Sequence, residues 1–222
     1  MFPLRDSERS QTKPIVTMAL VVINLLAFFY EVSLEEWSLQ HFLSEWGTVP
    51  GNFRFVTILT SMFLHGGWMH VLGNMWFLWI FGDNIEDILG HTKYLLFYLL
   101  CGTAGGMLHV FFNPGSGLPA IGASGAISGV MGAYLVSFPR ARIHTLIFFV
   151  IFVTTIEVPA LFMIGYWFVV QLLSGFGQVA SASTQQGGTA WFAHVGGFVA
   201  GVVLIKLMPT RPRLGIRQEN RW

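Results

Sequence analysis

The chain has 222 residues, of which 54% are apolar and only 10% are charged, and its net charge is +1 at pH 7. Soluble domains carry about 25% charged residues, so the composition excludes a soluble globular protein. The near-neutral charge gives no indication of nucleic-acid binding, and the single cysteine, Cys101, excludes an intrachain disulfide framework. We therefore predict an all-α polytopic protein of the lipid bilayer.

The amino-terminal segment carries Arg5, Arg9 and Lys13 ahead of an apolar stretch, as a secretory signal does. That stretch ends at residues 28–31 in Phe-Phe-Tyr-Glu, without the small residues that a cleavage site requires. We interpret it as a retained first transmembrane span.

Six apolar segments approach the length of roughly 20 residues that a transmembrane helix needs. They form one six-helix membrane domain at residues 15–208, between an amino-terminal tail at 1–14 and a basic carboxyl-terminal tail at 209–222. The predicted spans are residues 15–31, 68–82, 93–112, 124–138, 159–175 and 192–208.

The basic residues predict the orientation. With six crossings, all 12 Lys and Arg residues except Arg54 lie on one side, which the positive-inside rule makes cytoplasmic together with both termini. Arg54 lies on a long outer loop that also carries Glu31 and Glu45. Residues 143–158 are apolar, and a crossing there would reverse the sidedness of everything after them. We therefore predict an excursion at the inner interface or a re-entrant segment.

Four polar side chains fall at one depth in this arrangement, just below the outer surface. His70 and Asn74 share a face of the second span because they are four residues apart. Ser124 opens the fourth span and His194 opens the sixth. Each alone is more often a group that hydrogen-bonds between helices. Their convergence at one depth favours a functional site.

Glycines surround the serine and the histidine. Small residues allow helix backbones to approach closely in lipid, and such an approach would bring the Ser124 hydroxyl within about 3 Å of an imidazole. Plain helix packing accounts for the same pattern, so the glycines add weight only together with the polar pair. They are Gly122, Gly125, Gly129 and Gly132 in the fourth span and Gly197 and Gly201 in the sixth.

The chemistry of these groups predicts a serine nucleophile with a histidine base. A serine hydroxyl attacks only when a neighbouring base takes its proton, and His194 is the candidate base. No Asp or Glu falls near that depth, so we predict a dyad without metal or cofactor. The backbone N–H of Ser124, His70 and the amide of Asn74 could donate hydrogen bonds to an oxyanion.

In these motifs, from about Phe53 to Leu207, the chain resembles the rhomboid family of intramembrane serine proteases. The resemblance implies a six-helix core with a water-filled active site, and hydrolysis of peptide bonds in single-span transmembrane proteins. It implies Ser124 as nucleophile, His194 as base, and His70 and Asn74 on the oxyanion side. The matching motifs are Gly122-Ala123-Ser124-Gly125, Ala193-His194 with Gly197 and Gly201, His65-Gly66-Gly67-Trp68-Met69-His70-Val71-Leu72-Gly73-Asn74, and Gly82-x-x-x-Glu86-x-x-x-Gly90.

The resemblance implies that Glu86 ties helix ends together, although a solvated acid in a turn beside Asp83 and Asp87 fits the sequence equally well. Two features depart from the family pattern. The Trp-Arg pair of many relatives aligns with residues 56–57, Val-Thr, while Phe53-Arg54 lies three residues upstream. A tyrosine that stacks on the base in some relatives is replaced by Ser128.

Other membrane-protein chemistries lack their required residues. A zinc protease needs His-Glu-x-x-His, and an aspartyl protease needs two buried aspartates that share a proton. A transporter is expected to carry acidic ion sites at the midplane, which the spans lack. The alternative that remains is a catalytically silent relative that binds transmembrane helices. By family analogy we assign the chain to a prokaryotic cytoplasmic membrane.

Overall fold

The computed structural model describes residues 2–149, 152–180 and 190–211. Within these residues the chain is mostly helical, and a three-stranded sheet adjoins the helices. The helices are α1 Ile15–Ser33, α2 Glu36–Trp46, α3 Phe55–Ser61, α4 Trp68–Leu89, α5 His91–Phe112, α6 Ser124–Ser137, α7 Ala160–Ala180 and α8 Trp191–Leu207. The strands are β1 Phe2–Asp6, β2 Arg142–Phe149 and β3 Phe152–Pro159.

Each of the six predicted spans is a helix in the structure. Four of them agree with the predicted bounds to within two residues at each end. A fifth, α7, extends five residues beyond its predicted end at residue 175. The second, α4, continues seven residues beyond the predicted end at residue 82 and reaches Leu89. The acidic residues Asp83, Glu86 and Asp87 therefore lie in the last turns of a helix.

Among the described helices, α1 and α5 are long and apolar enough to cross a membrane by length and composition. Helices α6 and α8 and residues 160–173 of α7 are apolar but shorter. Many large apolar side chains point outward, including Leu26 on α1 and Leu96 on α5. Outward-facing apolar surface of this extent matches a lipid environment rather than water. The six-crossing topology and its orientation stay predictions.

Helix α6 lies at the centre of the bundle, where it packs backbone to backbone on α8. A Cβ atom added to Gly201 would overlap the backbone carbonyl of Gly129, and one added to Gly197 would overlap that of Gly125. Glycines at both points are therefore required for this separation of the helix axes. Gly129 also packs against Cys101 of α5, which is fully buried, so α5, α6 and α8 meet at this glycine.

At the end of the bundle where α4 stops, a buried carboxylate joins three helices. One oxygen of Glu86 accepts a hydrogen bond from the backbone N–H of Val16 (2.8 Å), and the other accepts from the backbone N–H and the hydroxyl of Thr17 (2.8 and 2.7 Å). His91 at the start of α5 lies 2.6 Å from the same side chain. Glu86 is fully buried, so the interpretation as a structural tie is confirmed and the solvated-acid alternative is wrong.

The amino-terminal residues, predicted as a tail at 1–14, form strand β1 and pack on the bundle. β1 pairs antiparallel with β2, and the indole N–H of Trp76 donates to the carbonyl of Pro3 (2.6 Å). The carboxylate of Asp6 accepts hydrogen bonds from the Tyr134 hydroxyl (2.6 Å) and from the side-chain amide of Asn84 (2.8 Å). The strand is thereby tied to α4 and α6.

The predicted excursion at residues 143–158 takes the form of a β-hairpin. β2 and β3 pair antiparallel with Ile143 opposite Val158, and residues 150 and 151 lie outside the described residues. The backbone N–H of Ala160 donates to the carbonyl of Ala141 (2.9 Å), so the chain leaves and re-enters the bundle at one point. In the predicted carboxyl-terminal tail, Arg211 donates its backbone N–H to Ile88, and residues 212–222 lie outside the described residues.

The segment between α1 and α4 was predicted to carry Glu31 in an outer loop, and this placement is wrong. Glu31 lies in the last turn of α1, is 1% exposed, and accepts the backbone N–H of His65 at 3.1 and 3.2 Å. The Arg54 guanidinium, which departs from the family register, pairs with the exposed carboxylate of Glu45 (2.7 Å). Glu31 thus fixes the entrance to α4.

The contact between α6 and α8 can be tested at Gly201. The change Gly201→Ala forces the helices apart because the new methyl group meets a backbone carbonyl that cannot rotate away. We expect the free energy of unfolding in detergent to fall by about 1–3 kcal/mol, the usual cost of overpacking. Gly165→Ala on α7 is the control, since nothing lies within 4 Å of its added Cβ. Equal stability of the two variants would contradict the close contact.

The attachment of β1 is predicted to weaken as pH rises. Burial, assisted by the nearby carboxylates of Asp83 and Glu8, raises the pKa of Asp6 from 3.8 to about 7. Folding therefore favours the protonated carboxyl, and this contribution is full below about pH 4 and lost as pH rises through about 7. Hydrogen exchange at the Ser7 amide, which donates to Arg142, should be less protected at pH 8 than at pH 5. In Asp6→Asn the protection should no longer depend on pH, and equal protection of the parent protein at both values would refute the prediction.

Candidate active site

Three helices begin at one end of the bundle and bring the predicted site residues together. Helix α4 presents His70 and Asn74 in its first two turns, α6 opens with Ser124, and α8 carries His194 in its first turn. All four side chains line one cavity of about 230 Å³, which also contacts Trp167 of α7. The convergence that the sequence predicted is therefore present in the structure.

The serine and the histidine are in direct hydrogen-bond contact. The Ser124 Oγ lies 2.7 Å from the Nε2 of His194, 70 residues further along the chain. The histidine is buried, with 6% of its surface exposed, while the serine is half-buried and faces the cavity. A hydroxyl donating to a neutral imidazole at this distance is the arrangement in which the ring can take the hydroxyl proton.

The second ring nitrogen of His194 has a partner that the sequence analysis missed. The Oε1 of Gln171, on α7, lies 2.5 Å from the His194 Nδ1. Two indole rings flank the imidazole, with ring centroids at 5.7 Å for Trp167 and 6.3 Å for Trp191. A lone amide in an otherwise apolar span was the available signal, since such a side chain requires a polar partner.

The loop before α6 places Gly122 beside both His70 and Ser124. Gly122 has a φ of +125°, and a Cβ atom there would lie 2.7 Å from the His70 Nε2 and 3.6 Å from the Ser124 Oγ. Only glycine combines this backbone conformation with so close an approach. The loop is held from the other side by Ser61, whose carbonyl accepts the Gly122 N–H (2.8 Å).

The protonation of His70 follows from its neighbour. The backbone N–H of Gly66 donates to the His70 Nδ1 at 3.3 Å, so the neutral ring carries its proton on Nε2. That nitrogen lies against Gly122, and His70 and Ser124 line the same cavity. His65, which lies next to His70 at a ring distance of 5.1 Å, is buried and stays outside the contacts described for Ser124 and His194.

Asn74 presents an amide donor without a partner. Its Nδ2 is buried and has no hydrogen-bond partner among the described residues, although Asn74 borders the same cavity as Ser124. An unpaired buried donor costs about 1–3 kcal/mol, so a free donor beside the Ser124 hydroxyl is a group that a bound ligand would satisfy.

At Ser128, where some relatives have a tyrosine, the side chain bonds within its own helix. The Ser128 hydroxyl donates to the backbone carbonyl of Ser124 at 2.5 Å and makes no ring contact with His194. The side chains in contact with the imidazole are those of Trp167, Trp191 and Gln171. The ring of His194 is thus flanked by side chains of α7 and α8.

A second space adjoins the serine from the other side. It measures about 30 Å³, and its polar lining includes Thr48, Ser61 and His109 as well as Ser124. A cavity of this size accommodates a water molecule when polar groups surround it. Among the described residues no group of three or more His, Cys, Asp or Glu side chains is placed to hold a metal ion.

Comparison with known proteins identifies the fold that carries this site. The family model described as the rhomboid domain matches residues 52–211. The chain is 28% identical over 175 residues to Rhomboid protein 1, mitochondrial, of Saccharomyces cerevisiae, which covers 75% of this chain and 47% of that protein. It is 32% identical over 127 residues to Rhomboid protease GluP of Bacillus subtilis, covering 55% of this chain and 24% of that protein.

A third relative, RHOMBOID-like protein 6, mitochondrial, of Arabidopsis thaliana, is 28% identical over 167 residues, which are 75% of this chain and 48% of the relative. The chain thus spans about half the length, or less, of these relatives. The yeast and plant proteins are named as mitochondrial. These names contradict the assignment to a prokaryotic cytoplasmic membrane, which rested on family analogy, because members of this family also occur in mitochondria.

Proposed function

The chain belongs to the rhomboid family, and we propose that it is an intramembrane serine endopeptidase that uses Ser124 and His194. The observation that carries this proposal is the 2.7 Å contact between the Ser124 Oγ and the His194 Nε2. One relative, GluP of Bacillus subtilis, is named a rhomboid protease. The mitochondrial names of the yeast and plant relatives favour a mitochondrial membrane as the place of action.

In the first step the Ser124 Oγ attacks the carbonyl carbon of the scissile peptide bond. The hydroxyl proton passes to the His194 Nε2, so the ring becomes an imidazolium while the carbonyl oxygen becomes an oxyanion. His194 then gives the proton to the leaving amine, and the C–N bond breaks. The product of this half-reaction is an ester between Ser124 and the new carboxyl group of the substrate.

The oxyanion of each tetrahedral intermediate needs hydrogen-bond donors. Ser124 opens α6, where a backbone N–H lacks an intrahelical partner and the helix dipole favours negative charge. The Nε2–H of His70 and the unpaired amide of Asn74 border the same cavity and supply the other donors. Donors that are already in place lower the barrier without rearrangement during the reaction.

Hydrolysis of the ester requires one water molecule. The 30 Å³ space beside Ser124, with Thr48, Ser61 and His109 in its lining, is a suitable place for it. His194 takes a proton from this water as it attacks the ester carbonyl, and returns the proton to the Ser124 Oγ as the ester bond breaks. The cycle leaves both side chains in their initial protonation states.

The proposed substrates are single-span membrane proteins. The larger cavity lies between α4 and α7 and has apolar walls, including Phe77, Met131 and Trp167, beside the reactive serine. A transmembrane segment would expose its peptide bonds there only where its helix unwinds, since a helical backbone is already hydrogen-bonded. In this proposal α1, α4, α5, α6, α7 and α8 cross the bilayer, and the basic residues set their orientation.

Loss of either reactive group should abolish cleavage. We expect Ser124→Ala and His194→Ala to cleave a model single-span substrate at no detectable rate, because the nucleophile or its base is gone. Cleavage is followed by gel electrophoresis of purified protein in detergent. Ser44→Ala and His41→Ala, which change exposed residues of α2, serve as matched controls with full activity. Undiminished cleavage by a folded Ser124→Ala protein would instead favour a rhomboid-like protein that binds transmembrane helices without cutting them.

Loss of one oxyanion donor should slow the reaction without preventing it. We expect Asn74→Ala or His70→Ala to reduce kcat by about 10–1000-fold, as the removal of one such donor does elsewhere. The KM should change little, because the hydrogen bond strengthens only in the transition state. Steady-state kinetics on the model substrate measure both constants, and Asn52→Ala, at an exposed asparagine, is the control. A purely higher KM at unchanged kcat would remove these residues from the oxyanion site.

A further inference from the structure

We propose that Gln171 of α7 is the positioning residue of the base, so that the site works as a Ser124–His194–Gln171 set rather than as a dyad. This inference rests on the proposed function. Its starting observation is the 2.5 Å distance between the Gln171 Oε1 and the His194 Nδ1, on the ring edge away from the serine.

The two hydrogen bonds of His194 together define its tautomer. The amide oxygen of Gln171 only accepts, so the ring must carry its proton on Nδ1. A neutral ring with the proton on Nδ1 has a free lone pair on Nε2, and that nitrogen lies 2.7 Å from the Ser124 Oγ. Gln171 therefore selects the one neutral form of His194 that can take the serine proton. The other tautomer would direct an N–H at the hydroxyl and would not act as a base.

Burial protects the hydrogen bond between Gln171 and His194 from competition by water. Gln171 and His194 are each 6% exposed, so water competes poorly for the Nδ1 proton. Trp167 lies one helical turn before Gln171 on the same face of α7, and its ring contacts the imidazole. Trp167 and Gln171, on one face of α7, thus fix both the orientation of the His194 ring and the nitrogen that carries its proton. α6 provides no such contact, since its Ser128 hydroxyl bonds to a backbone carbonyl.

The chemistry of an amide differs from that of a carboxylate in this position. During the attack the Oγ–H bond of Ser124 breaks and an Nε2–H bond forms, while the Nδ1 proton stays on the ring. Gln171 gains no proton and carries no charge, so it stabilises the imidazolium through a dipole alone. Placing a neutral partner here avoids burying an additional charge within the membrane domain, where an ionised carboxylate is costly.

The tautomer can be measured without any substrate. Protein labelled with 15N-histidine reports which ring nitrogen carries the proton, and comparison with His194→Ala identifies the His194 signals among the seven histidines. We expect the neutral ring of the parent to be protonated on Nδ1. In Gln171→Leu, which replaces the amide by an apolar side chain of similar size, the proton should move to Nε2 or divide between the two nitrogens. The same Nδ1 tautomer in both proteins would overturn the proposal.

Kinetics provide the second readout. Removing the acceptor in Gln171→Leu should lower kcat by about 10–100-fold, the equivalent of one buried hydrogen bond, with KM unchanged. Gln171→Glu keeps an acceptor at the same place and should retain activity within about tenfold of the parent. An ionised carboxylate favours the protonated imidazole, so the acidic limb of the Gln171→Glu rate profile should move to higher pH by about 1–3 units.

The control is Tyr166→Phe, which removes a polar group from an exposed position of the same helix and should leave both kcat and the pH profile unchanged. If the parent cleaves through Ser124 and Gln171→Leu cleaves equally fast with the same pH profile, the positioning role is wrong while the proposed function stands. If the parent does not cleave, the proposed function fails, and the 15N measurement still decides whether Gln171 holds the ring.

Discussion

The contact between the backbones of α6 and α8 determines the geometry of the whole site. Gly125 and Gly129 on one helix meet Gly197 and Gly201 on the other so closely that a methyl group at either of the latter would overlap a carbonyl. Ser124 and His194 lie at the same end of these two helices, and their 2.7 Å separation depends on that approach. In lipid, where helices gain little from apolar burial against one another, such packing is what holds them together.

The remaining helices hold this pair through buried polar contacts near the helix ends. Glu31 fixes the entrance to α4 through the His65 backbone, and Ser61 holds the loop at Gly122. At the far end Glu86 joins the start of α1 to α4 and α5. Each is a buried polar group with a partner, which is the condition for placing it in an apolar surrounding. Beside Ser124, in contrast, the buried Nδ2 of Asn74 has no partner among the described residues.

Much of this arrangement follows from the sequence, and the exceptions have physical reasons. Apolar length predicts the helices, and glycines beside Ser124 and His194 predict the close pair. Gln171 was not predicted because an amide in an apolar span indicates only that a polar partner exists, not which residue it is. In the structure that partner is His194, 23 residues later in the chain. Strand β1 forms only by pairing with residues 142–149, more than 130 positions away, and no local pattern indicates such a partner. The prokaryotic assignment was wrong because it rested on family analogy, and a shared fold carries no information about the compartment.

Covalent labelling tests the central claim most directly, since it asks whether the Ser124 hydroxyl is a nucleophile activated by its neighbour. Purified protein is treated with a small serine-reactive phosphonate, and the modified residue is identified by mass spectrometry. The account predicts modification of Ser124 in the parent protein and its loss in His194→Ala, while the other serines stay unmodified. Equal labelling of Ser124 in both proteins, or labelling of other serines in its place, would contradict it.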